Sequence, residues 1–433
     1  MEAREIRRHV GLLHARLPEL RLAEVPDPRQ PPWCRWRLAP LLRLGSVGGL
    51  TGCRSLADVE KLTAEMAPSA RRLLGLTRRV PDTTLRDAYV KVDPTALRAR
   101  LGRQCLAAQR RKALAPHLLP FGVVAMDGKA TAGDGWDDHY AQKQTHSSGP
   151  GASGVVRTIT CCLVSTPARP CLDAVPIPAA TNEMGHFATA FTELWARYCR
   201  SGLFKLISYD AGGASLENAT LVRSKGVHYL LGLRGTQPTL LAEARRLLAA
   251  VPVTQAVATT VDKTGTGTET RSLFITEEMA SYLEWEHLRT VVRVHSEKRD
   301  LEGRLVAQKP DETDRYYLCS LPRARLTDDA WLYLVRCHWG VENGCHNTWD
   351  KFFREDDHPW IETHPQGMLV VMLLRRLAYN LLTLYRSVTL RSEDQRTTAW
   401  RDLMRHLYNM LMAVTPAHLT GLRARPVPTD AMA

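Results

Sequence analysis

The stretch Val123-Val124-Ala125-Met126-Asp127-Gly128-Lys129 decides how the rest of the chain is read. Four apolar residues lead into a carboxylate, and Gly-Lys follows. A short apolar run bounded by turn residues predicts a buried central strand that ends at Asp127. A charge at the end of such a strand is costly unless something compensates it. A bound cation is one compensation, because metal sites gather acidic side chains. An Asp that only caps the following turn is the other reading.

The plan repeats. Phe204-Lys205-Leu206-Ile207-Ser208-Tyr209-Asp210 is again an apolar strand ending in Asp, 83 residues further on (127 to 210), with Ala211-Gly212-Gly213 behind it. Later, Cys337-His338-Trp339-Gly340-Val341-Glu342-Asn343 places one Glu inside an apolar, Trp-containing helical segment. Trp331, Val335, His338, Glu342 and Trp349 then share one helical face by their spacing. A buried Glu without a partner is costly or neutral, which favours a ligand role. Two strand-end aspartates and a late helical glutamate suit a two-metal phosphoryl-transfer site. Mg²⁺ prefers carboxylate oxygen, and two such ions ~3.5–4 Å apart clamp the attacking and leaving oxygens of an in-line displacement.

Composition sets the frame. The 433 residues suffice for two or three domains, and 44% hydrophobic with 24% charged residues is a globular balance. No run of 18 or more apolar residues appears, so no membrane span is expected. The charged N-terminus lacks the apolar stretch of a signal peptide. Ten scattered cysteines form no Cys-x-x-Cys pair. Cys337-His338 and Cys345-His346 suggest zinc, but eight residues on one helix span ~12 Å, too far for one tetrahedral site. Reduced, mostly buried cysteines in a cytosolic protein are expected. Adjacent Cys161 and Cys162 in a strand-like run point to opposite faces. Residues 1–120 hold 23 Lys and Arg against 11 acids, residues 366–433 hold 9 against 4, and the middle holds 26 against 30. Basic flanks around a mildly acidic centre suit a metal-binding core held on a polyanion.

Before Asp127 the chain reads as short helices. Ser55 caps one of them. Arg71-Arg72 and Arg78-Arg79 flank a Gly75 turn and make the densest basic segment, within a region that permits a helix-turn-helix. After Asp127, residues 133–154 read as an exposed loop. Strands are predicted at 155–164 and 172–177, and a helix at 181–201. Residues 234–325 alternate strand-like runs with turns, a mainly antiparallel β insertion between the second Asp and the Glu. Residues 366–386 predict a core helix, 399–414 an amphipathic one, with a loose tail from Thr415.

Several ordered motifs resemble one family. They are Asp127-Gly-Lys129 with its strand, Asp210-Ala-Gly, Tyr229-Leu-Leu-Gly-Leu-Arg234-Gly-Thr-Gln237, Glu269-Thr-Arg271 and His338-Trp-Gly-Val-Glu342-Asn343. Phe353-Arg-Glu-Asp356 and Leu373-Leu-Arg-Arg-Leu-Ala-Tyr-Asn380 extend the likeness. Together, from about residue 40 to 385, they resemble bacterial insertion-sequence DDE transposases of the H-repeat-associated group. Departures exist. Arg234 stands where the group usually has Lys. Glu342 comes six residues after Arg336, where many relatives have the Glu four after the Arg. Trp349 falls where a Lys is common in those relatives.

The resemblance implies an α/β fold: an RNase H-like mixed-sheet catalytic core with a β-rich insertion, preceded by an all-helical N-terminal domain. Its parts are a basic helical domain, 1–118, for DNA; the core's first part, 119–235; the insertion, 236–325; the core's second part with the Glu helix, 326–390; and a C-terminal helix and tail, 391–433. Asp127, Asp210 and Glu342 take the positions of the metal-binding catalytic triad, with Mg²⁺ as cofactor and Mn²⁺ as substitute. Lys129, Arg234, Arg336, His338, Lys351, Arg71, Arg72, Arg78 and Arg79 are candidates for DNA contact. The expected partners are double-stranded DNA (element terminal inverted repeats and target) and a second copy of the chain on that DNA, with no membrane. The expected location is the bacterial cytoplasm, at the nucleoid. A domesticated DNA-binding relative and a stand-alone nuclease are the rival readings.

Overall fold

β1 spans Val123–Gly133 and runs on past the Gly-Lys pair expected to end it. Asp127 therefore lies within the strand, opposite Thr160. β3, Gly154–Leu163, offers antiparallel partners along nearly the whole of β1. The backbone groups of Gly128 and Lys129 thus stay in a ladder instead of turning away. On the other side β5, Leu206–Tyr209, runs parallel but pairs only with Val123–Ala125. Beyond Ala125 that side of β1 has no paired strand among the described residues. The computed structural model describes residues 2–30, 34–137, 139–143, 153–390 and 392–422.

The remaining strands are β2 (Ala141–Lys143), β4 (Cys171–Ile177), β6 (His228–Leu233), β7 (Ala258–Thr264), β8 (Gly267–Thr276), β9 (Thr290–Arg299) and β10 (Asp314–Cys319). All join one ten-stranded sheet in the order β2-β3-β1-β5-β6-β10-β9-β8-β7, with β4 also paired to β3. Only β1–β5 and β5–β6 are parallel; β3, β10, β9 and β8 continue the sheet antiparallel. The architecture is thus mixed α/β. The stretch 133–154 is not wholly a loop, because β2 pairs with the start of β3; residues 144–152 within it lie outside the described residues, as do 423–433 of the tail. Neighbouring Cys161 and Cys162 fall in different core clusters, one on each face of the sheet, as strand alternation dictates. All ten cysteines are free.

Among the described residues six α-helices precede β1: α1 (Ala3–Arg16), α2 (Leu38–Leu50), α3 (Leu56–Glu65), α4 (Pro68–Leu74), α5 (Asp82–Tyr89) and α6 (Pro94–Arg110). Ser55 accepts the Asp58 amide at the start of α3. α7 (Glu183–Tyr198), α8 (Leu216–Ser224) and α9 (Pro238–Leu248) lie between strands of the sheet, and the single turn α10 (Pro310–Thr313) follows β9. The chain continues with α11 (Asp328–His338), α12 (Asn347–Lys351) and α13 (Pro365–Leu384).

α13 is the keystone of packing. It lies against α2, α5 and α6 on one side and β3 and β4 on the other. α2 approaches closely because Gly45 faces Leu374 and Tyr89, where a Cβ has no room. Asn380 on α13 accepts from the Cys171 amide at 2.8 Å and donates to its carbonyl at 2.8 Å, which fixes α13 to β4. The helical segment Pro365–Thr389 is long and apolar enough to cross a membrane by composition, yet 94% of its most apolar 18-residue window is buried within this fold. Its charge is internal. Arg376 forms a fully buried pair with Glu355 and stacks over Trp349 at 3.4 Å.

Candidate active site

Three elements meet where β1 and β5 part. Asp127 projects from the open half of β1. Asp210 follows β5 and caps a short 3₁₀ turn, Ala211–Gly213, by accepting the Gly212 amide at 3.0 Å. Glu342 arrives from the far end of α11. The regular helix stops at His338, and Val341–His346 winds as a π-helical turn before α12. This overturns the single helical face expected for Trp331 through Trp349. Gly340 is a weak helix former, and the wider turn re-aims the residues after it. Trp331, Val335, His338 and Trp349 are buried, whereas Glu342 is exposed toward the cleft.

The carboxylates feel one another. Burial raises Asp127 to about 8, and Glu342, Glu183 and Asp210 add like-charge repulsion. Glu342 is also pushed up, by partial burial and then by Asp210, with Arg315 and Arg234 pulling the other way. Glu183 is a fourth acid that sequence reading missed. It opens α7, capped by Asn182, and its Oε1 accepts the Tyr209 hydroxyl at 2.7 Å. Its carboxylate sits against Gly128, where any side chain would collide with it. Burial, with Asp210 as like charge, raises its pKa. The available signal was its place just after the Asn182 cap of the helix following the first Asp strand, together with the glycine at 128. Among the described residues no three His, Cys, Asp or Glu side chains stand close enough to hold one metal ion.

Two histidines support the aspartates. His346 lies with Nδ1 3.4 Å from the Asp127 Oδ2; burial, with Arg376 and Lys129 nearby, lowers it to about 3, so it is neutral. His338 bonds through Nδ1 to Ser208 Oγ at 3.1 Å, and burial lowers it to about 4. His338 thus lines the cleft with Asp210 and Glu342, its ring anchored by Ser208.

Several expected contact residues are occupied. Lys129 is buried and donates to Asp350 at 2.7 Å and Asp356 at 3.0 Å. Two residues beyond Asp127 it lies on the same face of β1, where these two partly exposed acids engage its ammonium. Arg336 pairs with Asp262 at 2.7 Å, which Arg271 also holds. Arg71 closes the C-terminus of α3 by donating to the Thr63 and Ala64 carbonyls at 3.0 and 2.7 Å. Arg79 is exposed and pairs with Glu60. Arg72, Arg78, Arg234 and Lys351 are exposed, Arg78 lying 5.7 Å over Trp36.

Fold and site together define a mixed α/β protein with an acidic cleft opened by diverging parallel strands. No protein-family model matches the chain. It is 28% identical over 184 residues to the "H repeat-associated putative transposase YhhI" of Escherichia coli (strain K12), a match covering 41% of this chain and 47% of that protein. The matched part is thus about half the length of that relative. The similarity supports a transposase-family relationship.

Proposed function

We propose that the chain is a DNA transposase that cuts and joins insertion-sequence ends at the Asp127–Asp210–Glu342 cleft. The observation that supports this reading is the neighbourhood of these acids and Glu183 where β1 and β5 part; burial chiefly, and then the like charges of Glu342, Glu183 and Asp210, raise Asp127 to about 8. An RNase H-like core, 119–235 with 326–390, is supported by the run β4-β3-β1-β5-β6, parallel at β1–β5–β6 and antiparallel outside it. In this reading residues 1–118 grip DNA, 236–325 lengthen the sheet, and two copies work together on DNA in the bacterial cytoplasm.

The donor set fits Mg²⁺ or Mn²⁺. It is all carboxylate oxygen, which hard cations prefer. Its mutual repulsion calls for a positive charge. Mg²⁺ is usually held by one or two carboxylates plus substrate phosphates. Asp127 with Asp210, and Asp127 with Glu342, would be the holding pairs. When bound, the ions activate the attacking hydroxyl and neutralise charge on the phosphate. The chain's own work is placement. Asp127 is steadied by neutral His346, Asp210 by the Gly212 amide, and Arg234 and Arg315 face the phosphate side. Water adds to phosphorus as the bond to the 3′ oxygen breaks. The freed 3′-hydroxyl then attacks a target phosphodiester, and that target's own 3′ oxygen leaves.

The test is strand transfer of a labelled duplex taken from the DNA flanking the gene, with Mg²⁺ and a supercoiled target. Joined product that disappears in Asp127→Asn and Glu342→Gln supports the reading. Cleavage without joining would favour a stand-alone nuclease. Binding without either would favour a domesticated DNA-binding protein.

A further inference from the structure

A pocket of about 230 Å³ lies at the opposite end of the parallel strands from the acidic cleft. α8, the start of β6 and the segment 277–289 between β8 and β9 enclose it. Tyr229 forms its floor, in register with Ile207 near the beginning of β5, whereas Asp210 follows that strand's other end. Two aromatic walls meet there. Tyr229 and Trp285 are 0% and 5% exposed, with ring centroids 6.4 Å apart and planes at 74°. Glu284 and Glu286 flank Trp285 in sequence, and both line the pocket. The Tyr229 hydroxyl is closed off from solvent and has no hydrogen-bond partner among the described residues. A buried phenol ordinarily finds one, and its absence points to a ligand.

Carboxylates beside aromatic faces select a cation. A phenol oxygen that lacks a donor selects one that carries N–H groups. The volume falls below the ~300–1,000 Å³ of sites for drug-sized ligands, so it suits a charged head on a short stem. Two arginines stand near the Tyr229 hydroxyl, Arg223 and Arg289, yet neither lines the pocket. Arg223 is spent on the Val227 carbonyl at 2.9 Å, and Arg289 on the Glu286 and Leu288 carbonyls at 2.7 Å each. The acidic wall is also pre-shaped. Ser281 and Leu283 hold left-handed φ values of 54° and 52°, and such conformations persist only where the surroundings enforce them. Here the Ser281 hydroxyl donates to the Glu286 carbonyl at 3.0 Å and accepts from Arg289 at 3.0 Å. We propose that this pocket binds a primary alkylammonium ion. Its charge lies between Glu284 and Glu286, one N–H is donated to the Tyr229 hydroxyl, and its methylene stem rests on Trp285. A free diamine and a lysine side chain of another protein both present this group. The inference is independent of the transposase reading.

The experiment uses the full chain without DNA, at fixed ionic strength, with calorimetric titration and melting curves as readouts. The probes are putrescine, the methylamide of Nα-acetyl-lysine, and tetramethylammonium as a cation with no N–H. Putrescine and the lysine derivative should bind saturably, one ion per chain, and raise the melting temperature, as any ligand of the folded state does. Tighter binding of putrescine identifies a free diamine as the occupant, and tighter binding of the lysine derivative identifies a protein side chain. Tetramethylammonium should bind at least several-fold more weakly than either. Tyr229→Phe should weaken binding several-fold. Without ligand it should melt at or above the wild-type temperature, because it removes a hydroxyl that is buried and unpaired. Glu284→Gln with Glu286→Gln should weaken binding at least tenfold and leave the ligand-free melt unchanged, since both side chains are exposed. Four results overturn the assignment: no saturable binding of either ammonium probe, equal binding of tetramethylammonium, wild-type affinity in Tyr229→Phe, or a lower ligand-free melt in that variant. The last would show that the hydroxyl serves the fold.

Discussion

Asp127 and Asp210 lie on one register line of the parallel pair β1–β5, although the ladder ends before it reaches them. Its pairs Val123↔Leu206, Val124↔Ile207 and Ala125↔Ser208 all carry the offset that separates the two aspartates. Strand alternation puts Asp127 on the face of Ala125, and Asp210 on that of Ser208. The two acids thus stand side by side where the strands diverge and the backbone no longer binds them together. Parallel pairing, not a turn after Asp127, brings them together.

This geometry makes metal-free stability depend on pH. Asp127 sits at about 8 in the folded chain, against about 3.9 unfolded. The folded state then holds the extra proton between those values, so its contribution is present at low pH and lost as pH rises through 8. At ~1.4 kcal/mol per unit, the loss is on the order of a few kcal/mol. Asp127→Asn should raise the melting temperature relative to wild type at pH 8, and much less at pH 5, both in chelator. An equal gap at both pH values would falsify the shift.

Glu183→Gln should act through the same repulsion. Removing one acid from this cluster should raise melting temperature slightly in chelator at pH 7.5. It should also weaken Mn²⁺ binding, measured by electron paramagnetic resonance of the free ion, by several-fold. Unchanged Mn²⁺ affinity would reduce Glu183 to a partner of Tyr209.

The arginines of the helical region should separate by role. Arg71→Ala should lower stability by about 1 kcal/mol through loss of the α3 carbonyl contacts and leave the salt slope alone. Arg72→Ala with Arg78→Ala should leave stability nearly unchanged and flatten the slope of DNA binding by about two if both meet phosphates. Denaturant melts and salt titrations on one preparation decide this.

The buried pair Arg376–Glu355 should be intolerant of half-removal. Burial opposes both charges, and their mutual attraction holds Arg376 up and Glu355 down. Glu355→Gln or Arg376→Met alone should cost about 3–5 kcal/mol, while the double change Glu355→Leu/Arg376→Met should recover most of it. Denaturant midpoints give the comparison; additive losses would count against a coupled pair.

Much of the frame was legible from periodicity. The antiparallel strands within 234–325 announce themselves by strand-like runs and turn residues. What escaped was set by partners distant in sequence. The length of β1 depends on β3, so the Gly-Lys after Asp127 looked like an ending. The exposure of Glu342 depends on a π turn, for which no period in the chain prepares a reader. Glu183 looked like an ordinary first-turn acid, since acids there favour the helix dipole. Lys129 looked free because its partners, Asp350 and Asp356, lie more than 200 residues away.

The placement of α13 has a consequence for synthesis. The helix that fills the space beside α2 is made about 315 residues after α2 ends at Leu50. At ribosomal rates of ~5–20 residues per second, the early helices wait roughly 15–60 s with an apolar groove uncovered. During that wait they are a natural client for a holding chaperone. A ribosome stalled before residue 365 should therefore carry a nascent chain that is far easier to proteolyse between residues 38 and 110 than the released protein.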